Sequence, residues 1–241
     1  MCPRWKSAAE SVVEALRTAI LVGQAGPGDR LAETTLVAQL DVSRNTVREA
    51  FRLLAHEGLV EHIPNRGVFV RRPSPAEARD VYRTRRILES GALRDAAVRR
   101  SGRAALAPEE RAAFDDAWEA AVDDVRSAVH GGLAARDAGD WDALGTANGE
   151  FHLALARLAD NRTIDQLLRT LLTEMRLLFV TVAAAQDVHE RYLADNLHIL
   201  ALVETGDLLR AALALEEYLL RAEEHLVGRY EEQVAGTEGL V

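Results

Sequence analysis

Five polar residues packed into six positions, Ser43, Arg44, Asn45, Thr46 and Arg48, follow directly on the turn-forming pair Asp41-Val42. Their types suit reading a nucleic-acid edge. An arginine offers a planar fork of donors that can grip a guanine edge or a phosphate with two parallel bonds. Short hydroxyls and an amide beside it hydrogen-bond phosphate oxygens and base edges, which sets register. A second polar group, Asn65-Arg66-Gly67, sits about twenty residues on and suits the flanking backbone or the minor groove. No nucleophile elbow, phosphate-cradling glycine loop or cage of metal ligands is legible anywhere in the 241 residues. The chain is therefore read as a non-enzyme.

Positioning those residues requires two packed helices and a hairpin. Glu33 to Leu40 reads as a short helix, Asp41-Val42-Ser43 as a tight turn, and the following stretch as a longer helix. Leu36, Leu40, Val42, Val47, Ala50, Phe51 and Leu54 recur at helical spacing, so the two helices can pack across the turn. Ser43 is placed to cap the second helix through its hydroxyl, which leaves the polar set on the outward side of the first two turns. Leu59–Ile63 and Gly67–Arg71 read as strands closed by Pro64-Asn65-Arg66. Upstream, Ser7 and Glu10 form a capping-box pattern that opens a helix to about Val22. Together these elements predict a winged helix-turn-helix, with the second helix entering a major groove.

The run Pro27-Gly28-Asp29-Arg30-Leu31-Ala32-Glu33, then Val42 to Ala50, Leu53 to Val60, and Pro64-Asn65-Arg66-Gly67 resembles the GntR family of bacterial transcription regulators. The resemblance covers roughly residues 7–72 almost without a gap. The family often carries an Arg just after the position of Glu33; here Thr34 stands there, which removes one implied phosphate contact.

Charge divides the chain in two. Residues 1–72 hold 10 Lys+Arg against 8 Asp+Glu, while residues 73–241 hold 19 against 30. The net charge of −9 thus belongs to the second region. It does not veto DNA binding by the first, because phosphate contacts act within about one Debye length of the surface, near 10 Å. The single Cys2 excludes a disulfide framework. The N-terminus lacks the apolar core of a signal peptide and no apolar run could span a membrane, so a cytoplasmic protein is expected. Pro73-Ser74-Pro75 reads as a linker, residues 76–232 as an all-helical antiparallel bundle, and residues 233–241 as a disordered tail. Helices are predicted at about 76–100, 108–130 (with continuation to 138 open), 141–159, 163–185, 187–205 and 207–232. Leu144, Phe151, Leu155 and Leu158 form one of the apolar stripes.

The second region is similar to the ligand-binding domain of the FadR subgroup, through Val81 to Glu89 with its Arg85 and Glu89, Phe151 to Ala156 leading to Asn161, and Gly206-Asp207. Many members of that subgroup hold a divalent metal with one Asp and three His. The resemblance places those four positions at Asn148, His152, Asn196 and Tyr218, of which only His152 keeps a ligand type. One imidazole with two amides and a phenol is a poor cage for zinc, manganese or nickel. His198 lies about 200° round its helix from the needed face, and His225 about 10 Å too far along. No metal or other cofactor is expected. The same four polar groups, with Arg85 from another helix, suit an effector pocket for a small acidic or polar molecule, a carboxylate first, since Arg is its natural partner. A satisfied buried network without ligand is the other reading of these residues. The resemblance implies a homodimer on a palindromic operator, most simply a repressor released by a small metabolite; a constitutive DNA-binding regulator whose helical domain only dimerises is the alternative.

Overall fold

The computed structural model describes residues 7–21, 23–181 and 191–238. The chain is mainly α, with a winged helix-turn-helix followed by a helical bundle. It divides into two units.

The first unit contains α1 (Ala8–Leu21), β1 (Arg30–Leu31), α2 (Glu33–Leu40), α3 (Arg44–His56), β2 (Val60–Ile63) and β3 (Gly67–Val70). The capping box forms as the spacing predicts: the Glu10 amide donates to Ser7 Oγ at 3.1 Å and the Ser7 amide to Glu10 Oε2 at 2.7 Å. Val12, Val13, Leu16 and Ile20 from α1 pack with Val47, Ala50, Phe51 and Leu54 from α3 to make the core. Asp41 adopts a left-handed φ of 50°, which turns the chain sharply enough for α3 to cross α2. The wing is an antiparallel pair with Val60 opposite Val70 and Ile63 opposite Gly67. β1 adds a third strand on the far side of β3, an element too short for any periodicity to reveal.

The expected assignment of residues 76–232 to one continuous unit needs correction. Pro75 opens the second unit, but the end of a later helix, from Leu172, belongs with the winged helix-turn-helix. Leu177 joins its hydrophobic core, and Glu174 pairs with Arg71 at 3.1 Å. Gly58, at φ +74°, leaves space that Glu174 fills: a Cβ there would lie 2.9 Å from the Glu174 side chain. Leu177 is apolar at a helical spacing that any bundle helix would show, so its periodicity could not say which core it joins.

The second unit is built from α4 (Pro75–Gly102), α5 (Pro108–Ala138), α6 (Trp141–Arg157), the first half of α7 (Arg162–Thr181), α8 (Leu193–Glu204) and α9 (Leu208–Glu238), with one 3-10 turn at Arg103–Ala105. Leu144, Phe151, Leu155 and Leu158 are all buried, as their stripe predicts. α5 runs unbroken through Gly131-Gly132 to Ala138. Gly132 serves close packing, since a Cβ on it would come 3.2 Å from Leu193 of α8. Gly139 at φ +69° is the residue that ends the helix. α8 starts at Leu193, with Arg191 and Tyr192 in a turn, so the expected start near 187 is not met there; residues 187–190, and 182–185 of the preceding expectation, lie outside the described residues. The expected tail is corrected too: residues 233–238 continue α9. A lone glycine such as Gly236 costs a helix only about 1 kcal/mol relative to alanine, and no proline stops propagation from the packed turns before it.

Candidate nucleic-acid interface and effector site

Ser43 caps α3 by accepting from the Thr46 amide at 3.1 Å, and its hydroxyl also bonds the Thr46 hydroxyl at 2.8 Å. The two short residues therefore hold the helix N-terminus in shape, and Thr46 is half-buried. Ser43, Arg44, Asn45 and Arg48 are exposed together on the first turns, as predicted. Arg48 donates from Nε to Glu33 Oε2 at 2.8 Å, a pair joining α3 to α2. That hydrogen bond holds the guanidinium above its ordinary pKa and orients it, while its Nη groups make no hydrogen bond among the described residues. An end-on fork remains for a guanine edge or phosphate. At the wing tip Asn65 takes φ 62° and Gly67 φ 110°, and the Arg66 guanidinium lies 5.7 Å from the centre of the Phe69 ring.

Sequence reasoning missed two more arginines here, and a histidine beside them. A cleft of about 560 Å³ between α3 and the wing is lined by Arg30, Arg48, Arg52 and His62. Arg30 reaches it from β1, against Gly67, where a Cβ would sit 3.4 Å from the guanidinium. Arg30 stands inside the motif that carries the family resemblance, so its position was visible while its role was not. The face so formed is a groove in which three arginines outnumber the one carboxylate, Glu33, with hydroxyls and amides at its helical end, which suits a phosphate backbone and base edges.

In the bundle, the five residues singled out converge from four helices. His152 of α6 is hydrogen-bonded through Nε2 to the Tyr218 hydroxyl of α9 at 3.2 Å, their rings stacked 5.3 Å apart. Asn196 of α8 donates to Asn148 Oδ1 of α6 at 2.9 Å. Arg85 of α4 completes the set through Glu89, one turn on: Arg85 Nε donates to Glu89 Oε1 at 2.7 Å, and the other carboxylate oxygen meets His152 Nδ1 at 2.7 Å. Arg85, Glu89, His152, Asn196 and Tyr218 are buried and Asn148 half-buried. Glu89 is thus the hub, a role that sequence reasoning did not give it. Its signal was the i, i+4 spacing from Arg85, which puts opposite charges on one helix side.

Burial opposes the charge on Glu89, but the Arg85 guanidinium and His152 hold its carboxyl below the usual range. Burial drives His152 below its ordinary value, only partly offset by Glu89. The imidazole is therefore neutral near pH 7. The tautomer assigned from the network has Nδ1–H donating to Glu89 and Nε2 accepting from Tyr218. Burial also raises the Tyr218 hydroxyl, keeping it a donor. The cluster balances, one positive against one negative group. One acceptor is left over: Asn196 Oδ1 is buried without a hydrogen-bond partner among the described residues.

The donor set does not fit the divalent metal that the subgroup implies. Both imidazole nitrogens are engaged within the network, the amides and the phenol are neutral, and no group of three His, Cys, Asp or Glu side chains converges among the described residues. His198 is exposed, away from the cluster. A separate groove of about 530 Å³ lies between α5 and α6, lined by Ala147, Glu150 and Arg157 on the other side of α6 from His152. Among the described residues no helix is long and apolar enough to cross a membrane.

Comparison with known proteins places the fold. Residues 8–70 match the model of the bacterial regulatory proteins of the gntR family, and residues 80–221 match the FCD domain. An HTH-type transcriptional regulator of Paraburkholderia xenovorans, BphR, is 31% identical over 78% of this chain and 74% of its own length. A Streptomyces ambofaciens HTH-type transcriptional regulator is 35% identical over 59% of this chain, a match spanning 61% of that relative. A solved transcriptional regulator of Rhodococcus sp. RHA1, at 34% identity, superposes with a TM-score of 0.77 over 92% of this chain and 99% of its own. With a helix-turn-helix unit first and a helical bundle second, the chain belongs to the gntR family of bacterial regulatory proteins, with an FCD domain as its second half.

Proposed function

We propose that this chain is a ligand-responsive transcription regulator, acting as a homodimer on a two-fold symmetric operator and released from it by a small effector. α3 enters the major groove with Arg44 and Arg48 as principal contacts, supported by Ser43, Asn45 and Thr46, while Asn65, Arg66 and Gly67 of the wing approach the flanking backbone. The effector sits among Arg85, Asn148, His152, Asn196 and Tyr218. Its binding shifts the population of DNA-competent dimers by no more than its differential affinity for the two arrangements.

One observation carries the effector reading. A buried acceptor without a donor, Asn196 Oδ1, costs free energy that a ligand N–H or O–H would recover. The same network weighs between an acidic and a polar effector. Arg85 points to a carboxylate only while its charge is unmatched, and Glu89 already matches it. A carboxylate would compete with Glu89, whereas a neutral molecule bearing donors would not. We therefore favour a small neutral polar effector over the acidic one. The alternative, a constitutive regulator with a purely structural cluster, draws on how many of these hydrogen bonds close on one another.

A thermal-shift panel on the whole chain tests this. Neutral polyols and amides should raise the melting temperature, carboxylates and acyl-CoA thioesters less, and N196L should lose the shift. A ligand that stabilises N196L as well as the wild type would remove the site; a panel without any shift, with operator binding intact, would favour the constitutive reading.

A further inference from the structure

A carboxylate stands in the groove proposed to receive a polyanion. Glu33, the first residue of α2, lines the cleft between α3 and the wing together with Arg30, Arg48 and Arg52. A negative group there repels phosphates and so lowers affinity for any duplex. An acidic residue in a first turn also steadies its helix, but that role does not require a bond to another helix. Among the described residues the Glu33 side chain bonds no amide of α2; its Oε2 accepts from Arg48 Nε of α3 at 2.8 Å. As a tie between helices the pair is weak, because Arg48 is 58% exposed and Glu33 26%. We infer that Glu33 is a positioning and selectivity residue for Arg48: it offers the duplex only the end-on fork of the guanidinium and disfavours unspecific phosphate contact. The inference rests on the reading of Arg48 as a major-groove contact and adds the residue that makes that contact selective.

Two physical effects support this role. The first is orientation. A free, exposed arginine is rich in rotamers and can grip a phosphate with either edge of its guanidinium, Nε with one Nη or the two Nη together. With Nε committed to Glu33, the Nη pair remains, an edge that can meet O6 and N7 of guanine in a bidentate contact. Because the group is already held in the free chain, less side-chain freedom is lost on binding. The second effect is electrostatic. Swinging Arg48 onto a phosphate would break its bond to Glu33 and leave that carboxylate facing the negative backbone, whereas contact with a guanine edge keeps the pair intact. Preference for operator over random duplex then comes in part from a penalty on the wrong complex. Arg30 and Arg52 line the same groove and are exposed, and neither hydrogen-bonds Glu33 among the described residues. They supply general attraction to phosphates while Arg48 is reserved for reading.

Fluorescence anisotropy titrations of the full chain over a range of salt test this with two duplexes, one that the wild type selects from a randomised pool and one of random sequence. E33A should lower the affinity ratio between them about tenfold, with the random duplex bound about threefold more tightly. The salt slope on the random duplex should steepen by about one phosphate contact as Arg48 swings to the backbone. E33Q keeps an acceptor for Nε while dropping the charge, so its ratio should stay within about threefold of wild type. The decisive comparison is E33A in an R48A background, where neither the ratio nor the salt slope should change further, since Glu33 acts through Arg48. Equal changes in both backgrounds would give Glu33 a role in α2 alone and overturn the inference. So would E33A with the wild-type ratio, or E33Q losing the ratio as fully as E33A. An R48A variant that keeps the wild-type ratio would instead overturn the reading of Arg48 itself, whatever E33A does.

Discussion

The two polar clusters of this molecule, on α3 and inside the bundle, use their residues in opposite ways. On α3 they are exposed and held within the helix-turn-helix itself: Ser43 bonds Thr46, three residues on, and Arg48 bonds Glu33 of the preceding helix. In the bundle they are buried, and apart from Arg85–Glu89 within one helix they bond across 48 to 66 residues of sequence, as in Asn148–Asn196 and His152–Tyr218. Exposed groups can be lost at little cost to the fold, since water replaces the partner. Buried groups cannot, because the partner left behind remains desolvated. Function in the first site should therefore be separable from stability, and in the second it should not.

The largest effect expected from that contrast is at Glu89. Replacing it by Gln leaves the buried Arg85 charge without its counter-ion, which should destabilise the bundle by about 3–5 kcal/mol. Chemical denaturation followed separately for each unit would measure it; a loss under about 1 kcal/mol would mean the pair is solvated and the contrast false. Next in size, R48A should weaken specific operator binding about ten- to hundredfold, with the unfolding transition unmoved. Gel-shift titrations with operator and random duplex, paired with a thermal melt, would show whether affinity and stability separate as claimed.

The pH dependence sharpens the comparison on the buried side. His152 and Glu89 both titrate below their ordinary values in the folded chain. Each binds fewer protons folded than unfolded, so the stability they contribute is complete above the unfolded pKa and is lost as pH falls. His152 loses it first, from about pH 6.5 downwards, and Glu89 below about 4.5. H152Q should flatten the upper part of that slope in denaturation measured between pH 7 and 5; an identical slope would detach His152 from the network. The smallest effect is S43A, which removes the cap of α3 and should cost about 1 kcal/mol. Because that cap also shapes the contact face, operator affinity should fall with it, unlike a neutral surface change elsewhere on the unit.

Much was legible beforehand, for reasons that differ between the regions. The turn, the cap, the wing and the outward polar set all depend on residues within a few positions of one another, where helical period and turn chemistry act directly. The bundle positions were legible only through likeness to a family; their spacing around single helices could not say that Arg85 would be matched by Glu89 or that Asn196 would keep an unmatched acceptor. Glycines show the same divide. Gly139 reads as a stop and is one, whereas Gly131-Gly132 reads as a stop and instead admits Leu193 against the helix.

By itself, the order of residues determined two units of different charge, the helix-turn-helix with its presented arginines, and the helical nature of everything after Pro75. Only the tertiary structure decided which carboxylate neutralises Arg85 and that the end of α7 completes the first core. The physical reason is range: local hydrogen bonding and side-chain period are written in neighbouring residues, but charge balance and burial depend on which distant segments meet, and one helix cannot specify that alone.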